Sequence, residues 1–296
     1  MALYMDQSKP MQPQINTSEP EIPPSHRTVA VIPSFFTLGN CLCGFLAIFF
    51  ASRMADTKLL WDWTPLTVGA VFVFIGMLFD ALDGRIARRT GQTSKLGEQL
   101  DSMADMVTFG VAPAFLAVQL VAAETPFLST KGDTYFDRTA LIIACIYVAC
   151  AAIRLARFTL EVPSGDQADH LSFEGLPSPG AAGTVASLVL LHQHFLARDN
   201  TQQWTMTLAS IGMVIVMLMV ALVMVSRLRY VHVTNRYLHE RAPLEYIAIC
   251  VVVGLLLAIN LQGALAASFV TYAVSTPLAW CYQKMTHRAV QTMPNP

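Results

Sequence analysis

Four aspartates occur in two closely spaced pairs in the first half of the chain. Asp80 and Asp83 are three residues apart, and Asp101 and Asp105 are four residues apart. In an α-helix both spacings place the two side chains of a pair on one face. The connection between the pairs is short, which predicts two antiparallel neighbouring helices with all four carboxylates at one depth.

Four carboxylates at one place repel each other, and bound divalent cations remove that repulsion. All-oxygen ligation favours hard ions such as Mg²⁺ or Mn²⁺, and four carboxylates suit two ions better than one. Two ions about 4 Å apart form a clamp on a phosphoryl group that undergoes displacement. The spacing therefore predicts a site for two divalent cations, Mg²⁺ or Mn²⁺, that acts on a phosphorylated substrate.

The residues around the aspartates fit the same chemistry. Gly84 directly follows Asp83 and would let a ligand approach the backbone closely. Gly97 lies one turn before Asp101 and removes bulk where the two helices must meet. Arg88 lies one turn beyond Gly84 on the same face, where its guanidinium can reach a phosphate oxygen.

The helices that carry these residues are predicted to cross a membrane. Hydrophobic residues make up 54% of the 296 residues and charged residues only 13%, whereas a soluble domain carries about 25% charged residues. Apolar runs of about 20 residues, enough to cross a hydrocarbon core of about 30 Å, recur along the chain. They lie near residues 29–52, 65–88, 102–123, 139–158, 178–197, 205–226, 243–259 and 261–283. We therefore expect an all-α polytopic bundle of about eight transmembrane helices.

The basic residues predict the orientation of this bundle. With eight spans, one side carries only Arg53, Lys58, Lys131, Arg138 and Arg198, and the other side carries the remaining fourteen of the 19 Lys and Arg residues. Cytosolic loops are the richer in Lys and Arg. Both termini and the aspartate cluster are therefore expected on the cytosolic side of the plasma (inner) membrane.

Two polar tails are expected to flank the membrane domain. Residues 1–27 are rich in Pro, Gln, Ser and Glu, which predicts a disordered cytosolic tail. The transmembrane domain is expected at 28–285 and a cytosolic C-terminal tail at 286–296. The net charge of −1 gives no reason to expect a nucleic-acid partner.

The aspartates belong to a longer pattern, D-x2-D-G-x2-A-R-x8-G-x3-D-x3-D over residues 80–105. This pattern resembles the signature of the CDP-alcohol phosphatidyltransferase family. Five flanking segments resemble the branch of that family that uses serine as the acceptor. They are residues 33–40, 104–114, 154–158, 173–179 and 224–230. The resemblance covers about 29–283 and implies six helices that form the family core plus two C-terminal helices.

The resemblance implies that CDP-diacylglycerol binds with its diphosphate across two metals. Asp80, Asp83, Asp101 and Asp105 would be the ligands, and Asp105 would also be the general base. It would take the proton of an acceptor hydroxyl that attacks the phosphorus next to diacylglycerol, and CMP would leave. A homodimer in the lipid membrane is a further expectation.

The resemblance also implies contacts to the nucleotide. It assigns Gly84, Arg88 and Ser94 to the CDP moiety, and it points to Thr37 and Asn40 as contacts to cytidine or phosphate. For Asn40 a hydrogen bond between helices of the bundle is an equally good interpretation.

The acceptor implied by the serine-using branch is L-serine. Its carboxylate needs a cation or a helix N-terminus. Arg154 and Arg157 close the fourth predicted helix, and Pro177 and Ser178 open the fifth, whose free backbone amides favour an anion. Anchoring of the two arginines at lipid headgroups is an equally good interpretation.

Two alternatives remain at the level of the sequence. The same chemistry could act on another alcohol, either glycerol 3-phosphate or inositol. Intramembrane carboxylates also occur in cation transporters, but transporter sites lie near mid-membrane and often within inverted repeats. Here the cluster is interfacial and the sequence shows no repeat.

Overall fold

The computed structural model describes residues 24–53, 63–90, 95–124, 135–160, 172–196, 203–226, 228–231 and 260–291. The α-helices are α1 (Pro24–Ala51), α2 (Pro65–Thr90), α3 (Lys95–Asp105), α4 (Ala112–Glu124), α5 (Tyr135–Leu160), α6 (Ser178–Leu191), α7 (Gln203–Val225) and α8 (Leu261–Gln291). A π-helical segment, Met106–Val111, joins α3 to α4, and a second one, His192–Leu196, extends α6. Two short strands are β1 (Ser172–Glu174) and β2 (Arg229–Val231).

The predicted all-α membrane class is confirmed. Four helical segments among the described residues are long and apolar enough to cross a membrane. They are Pro65–Ile86, Leu96–Glu124, Phe136–Thr159 and Thr207–Val225. The apolar part of α1, Phe35–Ala51, is shorter. The predicted span at 243–259 lies outside the described residues.

Small side chains fill much of the interior of the bundle, and large apolar side chains cover much of its outside. Ala47, Ala151 and Ala182 are at most 1% exposed, whereas Phe45 and Met219 are more than half exposed. Helices in lipid gain little from burying apolar bulk, because lipid is equally apolar, so close packing of small residues holds them together. The outward-facing apolar bulk is what lipid contact requires.

Helix α6 lies at the centre of the bundle, where every residue from Gly180 to Ser187 is buried. Its glycines admit aromatic rings from α8. A Cβ built at Gly183 would lie 2.2 Å from a ring carbon of Phe269. Phe269 also contacts Phe74 of α2, with ring centroids 5.7 Å apart. Helices α2, α6 and α8 are therefore packed together.

The two strands, which the sequence did not predict, tie the start of α6 to the end of α7. They pair antiparallel, with Phe173 opposite Tyr230. Gly175 follows β1 with a φ of +81°, and its N–H donates to the carbonyl of Leu228 at 2.8 Å. Glycine suits this turn because other residues rarely adopt a positive φ.

Several predicted boundaries differ from the structure. The third helical segment begins at Lys95 rather than 102, because polar helical turns precede the apolar run and continue directly into it. Helix α1 begins at Pro24, inside the predicted 1–27 tail, since proline suits the first helical position and nothing from 25 to 32 breaks a helix. Helix α8 runs to Gln291, into the predicted 286–296 tail, where the first proline is Pro294.

Helix α1 approaches the π-helical segment after α3 so closely that no side chain fits between them. A Cβ at Gly44 would lie 2.5 Å from Thr108 Oγ1 and 2.8 Å from its Cα. A Cβ at Gly76 of α2 would lie 2.5 Å from Thr108 Cγ2. Thr108 is therefore held between α1 and α2 by two glycines.

We expect Gly44→Ala to destabilise the protein by about 1–3 kcal/mol, because the new methyl group meets backbone atoms that cannot move aside. The matched control is Gly212→Ala in α7, where a Cβ meets nothing within 4 Å. That change should be neutral or stabilise by up to about 1 kcal/mol. Thermal unfolding in detergent measures both, and equal effects of the two substitutions would contradict the close contact.

Candidate active site

The structure brings three of the four predicted carboxylates together. Asp80 lies on α2, and Asp101 and Asp105 lie on α3, which ends at Asp105. One carboxylate oxygen from each of the three lies within 4.8 Å of the others. All three side chains are partly buried. Asp101 and Asp105, four residues apart on α3, meet Asp80 of α2, so the predicted convergence holds for three of the four carboxylates.

Asp83, the fourth carboxylate, is close to the cluster but is held by a different helix. Its carboxylate accepts a hydrogen bond from the hydroxyl of Thr37 on α1, and both residues are buried. Asp83 lies within electrostatic range of Asp80 and Asp101. It therefore adds negative charge to the site while α1 fixes its orientation.

Asn40 contacts the cluster one turn further along α1. Its amide Nδ2 donates to Asp105 Oδ1 at 3.0 Å, and the residue is completely buried. Its other amide atom, Oδ1, is buried and accepts no hydrogen bond within the described part of the chain. Of the two interpretations of Asn40, the structure therefore contains the hydrogen bond between helices.

Thr108 is hydrogen-bonded to the backbone of α1 at Asn40. Its Oγ1 donates to the backbone carbonyl of Asn40 at 2.8 Å. Thr108 was not predicted from the sequence, because one threonine in an apolar run carries no distinct signal.

Arg154 of α5 brings a positive charge to the cluster. One guanidinium nitrogen donates to Ser178 Oγ at 2.6 Å, and the guanidinium lies within electrostatic range of Asp105. Two of the four predicted acceptor residues are therefore in contact with each other, and one of them lies within electrostatic range of the predicted base. The Arg154 Nε is buried without a hydrogen-bond partner among the described residues.

The other two predicted acceptor residues have different surroundings. Arg157 directs a nitrogen to the carbonyl of Val225 at the end of α7, at 3.5 Å. Pro177 caps α6, and its carbonyl accepts from the N–H of Ala181 at 3.0 Å. The structure thus joins Arg154 to Ser178 but gives Arg157 a separate partner.

The predicted nucleotide contacts lie next to a gap in the described residues. Gly84 is partly buried in α2, one residue after Asp83. Arg88 lies in the last turn of α2, and its side chain is outside the described part of the structure. Ser94 lies outside the described residues altogether.

The donor chemistry of the cluster fits a hard divalent cation. Three carboxylate oxygens lie within 4.8 Å of one another, and a fourth carboxylate stands beside them. Carboxylate oxygen is the ligand that Mg²⁺ and Mn²⁺ prefer. Carboxylates this close are costly in an apolar bundle unless a cation compensates them.

Comparisons with known proteins agree with this geometry. The model of the CDP-alcohol phosphatidyltransferase family matches residues 30–216. A Helicobacter pylori protein named CDP-diacylglycerol–serine O-phosphatidyltransferase is 33% identical over 202 residues, 68% of this chain and 71% of the relative. Proteins of the same name from Bacillus subtilis and Methanocaldococcus jannaschii are 32% identical over 170 residues (57% of this chain, 81% of the relative) and 28% identical over 212 residues (72% and 79%).

The chain belongs to the CDP-alcohol phosphatidyltransferase family. The match extends from α1 into α7 and includes all four aspartates. The resemblance identified in the sequence is confirmed, and the family assignment argues against the alternative of a cation transporter.

We expect Mg²⁺ or Mn²⁺ to raise the melting temperature of the wild-type protein by about 5 °C at saturation, because the cation binds only the folded cluster. Asp101→Asn should lose more than half of this shift. In EDTA the same variant should be more stable than wild type, since one of the mutually repelling charges is gone.

Glu98→Gln is the matched control for that measurement. It makes the same charge change one turn away, on an exposed side chain outside the three-carboxylate cluster. Its cation-dependent shift should equal that of wild type. An undiminished shift in Asp101→Asn would exclude Asp101 as a metal ligand.

Proposed function

We propose that this chain transfers a phosphatidyl group from CDP-diacylglycerol to the hydroxyl of L-serine, giving phosphatidylserine and CMP. The observation that carries the proposal is the cluster of Asp80, Asp101 and Asp105 within the family motif. The names of the relatives support serine as the acceptor.

The proposed cofactors are two divalent cations, Mg²⁺ or Mn²⁺, held by Asp80, Asp83, Asp101 and Asp105. When bound, they would neutralise the diphosphate and the charge that develops on the leaving phosphate. The hydrogen bond from Thr37 to Asp83 supports this ligand set, because it holds one carboxylate oxygen and leaves the other available.

Asp105 is the proposed general base. The serine hydroxyl oxygen forms a bond to the phosphorus next to diacylglycerol, while the bond from that phosphorus to the bridging oxygen of CMP breaks. CMP leaves with the electron pair, and the carboxylate of Asp105 takes the hydroxyl proton. An alcohol is a poor nucleophile at neutral pH, so a positioned base accelerates the step. The hydrogen bond from Asn40 supports the role because it holds Oδ1 and leaves Oδ2 for the proton.

We assign Gly84, Arg88 and Ser94 to the CDP moiety. Gly84 would allow the diphosphate near the backbone of α2, and Arg88 would pair with a phosphate oxygen. For Thr37 and Asn40 the observed contacts to Asp83 and Asp105 favour an orienting role over direct contact with the nucleotide.

The acceptor would bind at Arg154 and Ser178, which are in contact with each other. A guanidinium is the preferred partner of a carboxylate, and Arg154 lies within electrostatic range of Asp105, so the carboxylate of serine would bind Arg154 while its hydroxyl faces Asp105. The start of α6 at Pro177 adds free backbone amides. Arg157 would contribute only to the charge of this region, given its contact with Val225.

The proposed setting is the plasma membrane, with several spans and with both termini and the active site in the cytosol. The support is the unequal distribution of Lys and Arg between the two sides. Assembly as a homodimer is carried over from the family resemblance. A tail over residues 1–27, a membrane domain over 28–285 and a tail over 286–296 remain a proposal, with the helix ends noted above.

The decisive experiment is an acceptor panel on purified protein in detergent with CDP-diacylglycerol and Mg²⁺ or Mn²⁺. CMP should appear with L-serine and at least tenfold more slowly with glycerol 3-phosphate or inositol. Asp105→Asn should abolish at least 99% of the release, since the base is lost. CMP release with glycerol 3-phosphate but not with serine would show that the acceptor is wrong while the chemistry holds.

Asn40→Ala distinguishes the two roles considered for Asn40. If the amide orients Asp105, kcat falls about tenfold, as one hydrogen bond to a charged group would predict, and KM for CDP-diacylglycerol changes less than threefold. If Asn40 instead contacts the nucleotide, KM rises and kcat holds. Steady-state kinetics at varied CDP-diacylglycerol measures both constants.

A further inference from the structure

Helix α8 lies beyond the region that the family model matches, yet it packs directly on the helix that carries Ser178. A Cβ at Gly183 would overlap the ring of Phe269, and a Cβ at Gly180 would lie 3.0 Å from Tyr272 Cε1. The two aromatic residues and the two glycines are each three positions apart. The glycines thus admit two consecutive rings of α8 against the first half of α6.

Tyr272 lies at the end of this contact that faces the predicted acceptor residues. The ring carbon nearest Gly180 is bonded to the carbon that carries the hydroxyl, and Ser178 is two residues from Gly180. The guanidinium of Arg154, which donates to Ser178, lies within electrostatic range of both the Tyr272 phenol and the Asp105 carboxylate. The Tyr272 ring and the Arg154–Ser178 hydrogen bond therefore lie at the same end of α6, and Arg154 is within electrostatic range of both Tyr272 and Asp105.

Packing alone explains the ring of Tyr272 but not its hydroxyl. At Phe269, one turn earlier, a ring without a hydroxyl makes the equivalent contact with α6. Tyr272 is partly buried, and a phenol hydroxyl in an apolar bundle is costly unless it has a polar partner. Arg154 lies within electrostatic range of this phenol, so the hydroxyl is at the polar, N-terminal end of α6.

Arg154 retains the capacity to bind an anion. A guanidinium has five N–H donors. Ser178 accepts one of them, and the Nε is buried without a hydrogen-bond partner among the described residues. Arginine binds a carboxylate through two parallel hydrogen bonds, and a neighbouring phenol can donate a third.

We propose that Tyr272 determines acceptor specificity by donating its hydroxyl to the carboxylate of an amino-acid acceptor that Arg154 also binds. Helix α8 thereby completes the acceptor site from outside the family core. The inference rests on the proposed transfer to L-serine and deepens it. An acceptor without a carboxylate would gain nothing from Tyr272.

The test compares wild type, Tyr272→Phe and Phe269→Leu in the CMP-release assay. Tyr272→Phe keeps the ring and removes only the hydroxyl. It should raise KM for L-serine about tenfold, the effect of one hydrogen bond to a charged group, with kcat within twofold and KM for CDP-diacylglycerol unchanged. Phe269→Leu loosens the same helix contact one turn away, so it should lower the melting temperature and leave KM for L-serine unchanged.

Each contrary result has a distinct meaning. Wild-type release that depends on serine, together with an unchanged serine KM in Tyr272→Phe, overturns the role of Tyr272 and leaves the proposed function intact. An equal rise in serine KM for Tyr272→Phe and Phe269→Leu also overturns it, because helix packing would then be the cause. Wild-type release that does not respond to serine overturns the proposed function and the inference together.

Discussion

Mutual repulsion among carboxylates inside an apolar bundle is the constraint on which the rest of this structure depends. Three carboxylates converge within 4.8 Å, and Asp83 adds a fourth charge nearby. Such an arrangement is unstable unless donors and cations surround it. The protein supplies donors from α1 and a guanidinium from α5, and the carboxylates themselves form a site suited to divalent cations.

Helix α1 stabilises one aspartate of each pair. Thr37 donates to Asp83 on α2, and Asn40 donates to Asp105 on α3. The two donors are three residues apart and so share a face of α1. This arrangement requires α1 to lie against both α2 and the segment after α3, which the close approach at Gly44 provides. The close contact of Gly44 with Thr108 therefore also keeps Thr37 and Asn40 in position to orient the two carboxylates.

The sequence predicted the convergence of the aspartates because helical spacing alone determines which side chains share a face. It did not predict which donors would meet them. Thr37 and Asp83 are 46 residues apart, and Asn40 and Asp105 are 65 apart. Hydropathy identifies a helix in the membrane but leaves open its rotation about its own axis, and that rotation decides whether Asn40 faces a ligand or Asp105. The π-helical segment after Asp105 and the β1–β2 pair were not predicted either, because tertiary contacts rather than local sequence patterns determine them.

Under the proposed roles, phosphoryl transfer and acceptor recognition use different helices of the bundle. The carboxylates and their donors lie on α1, α2 and α3, within the region that the family model matches. Arg154 and Ser178 lie on α5 and α6, and Tyr272 lies on α8, beyond that region. The electrostatic proximity of Arg154 to Asp105 joins the two parts. A change of acceptor would then require substitutions around Arg154 and along α8, while the aspartates and α1 could stay the same. Since the glycines of α6 admit the rings of α8, the spacing of Gly180 and Gly183 determines where a side chain from α8 can reach the proposed acceptor site.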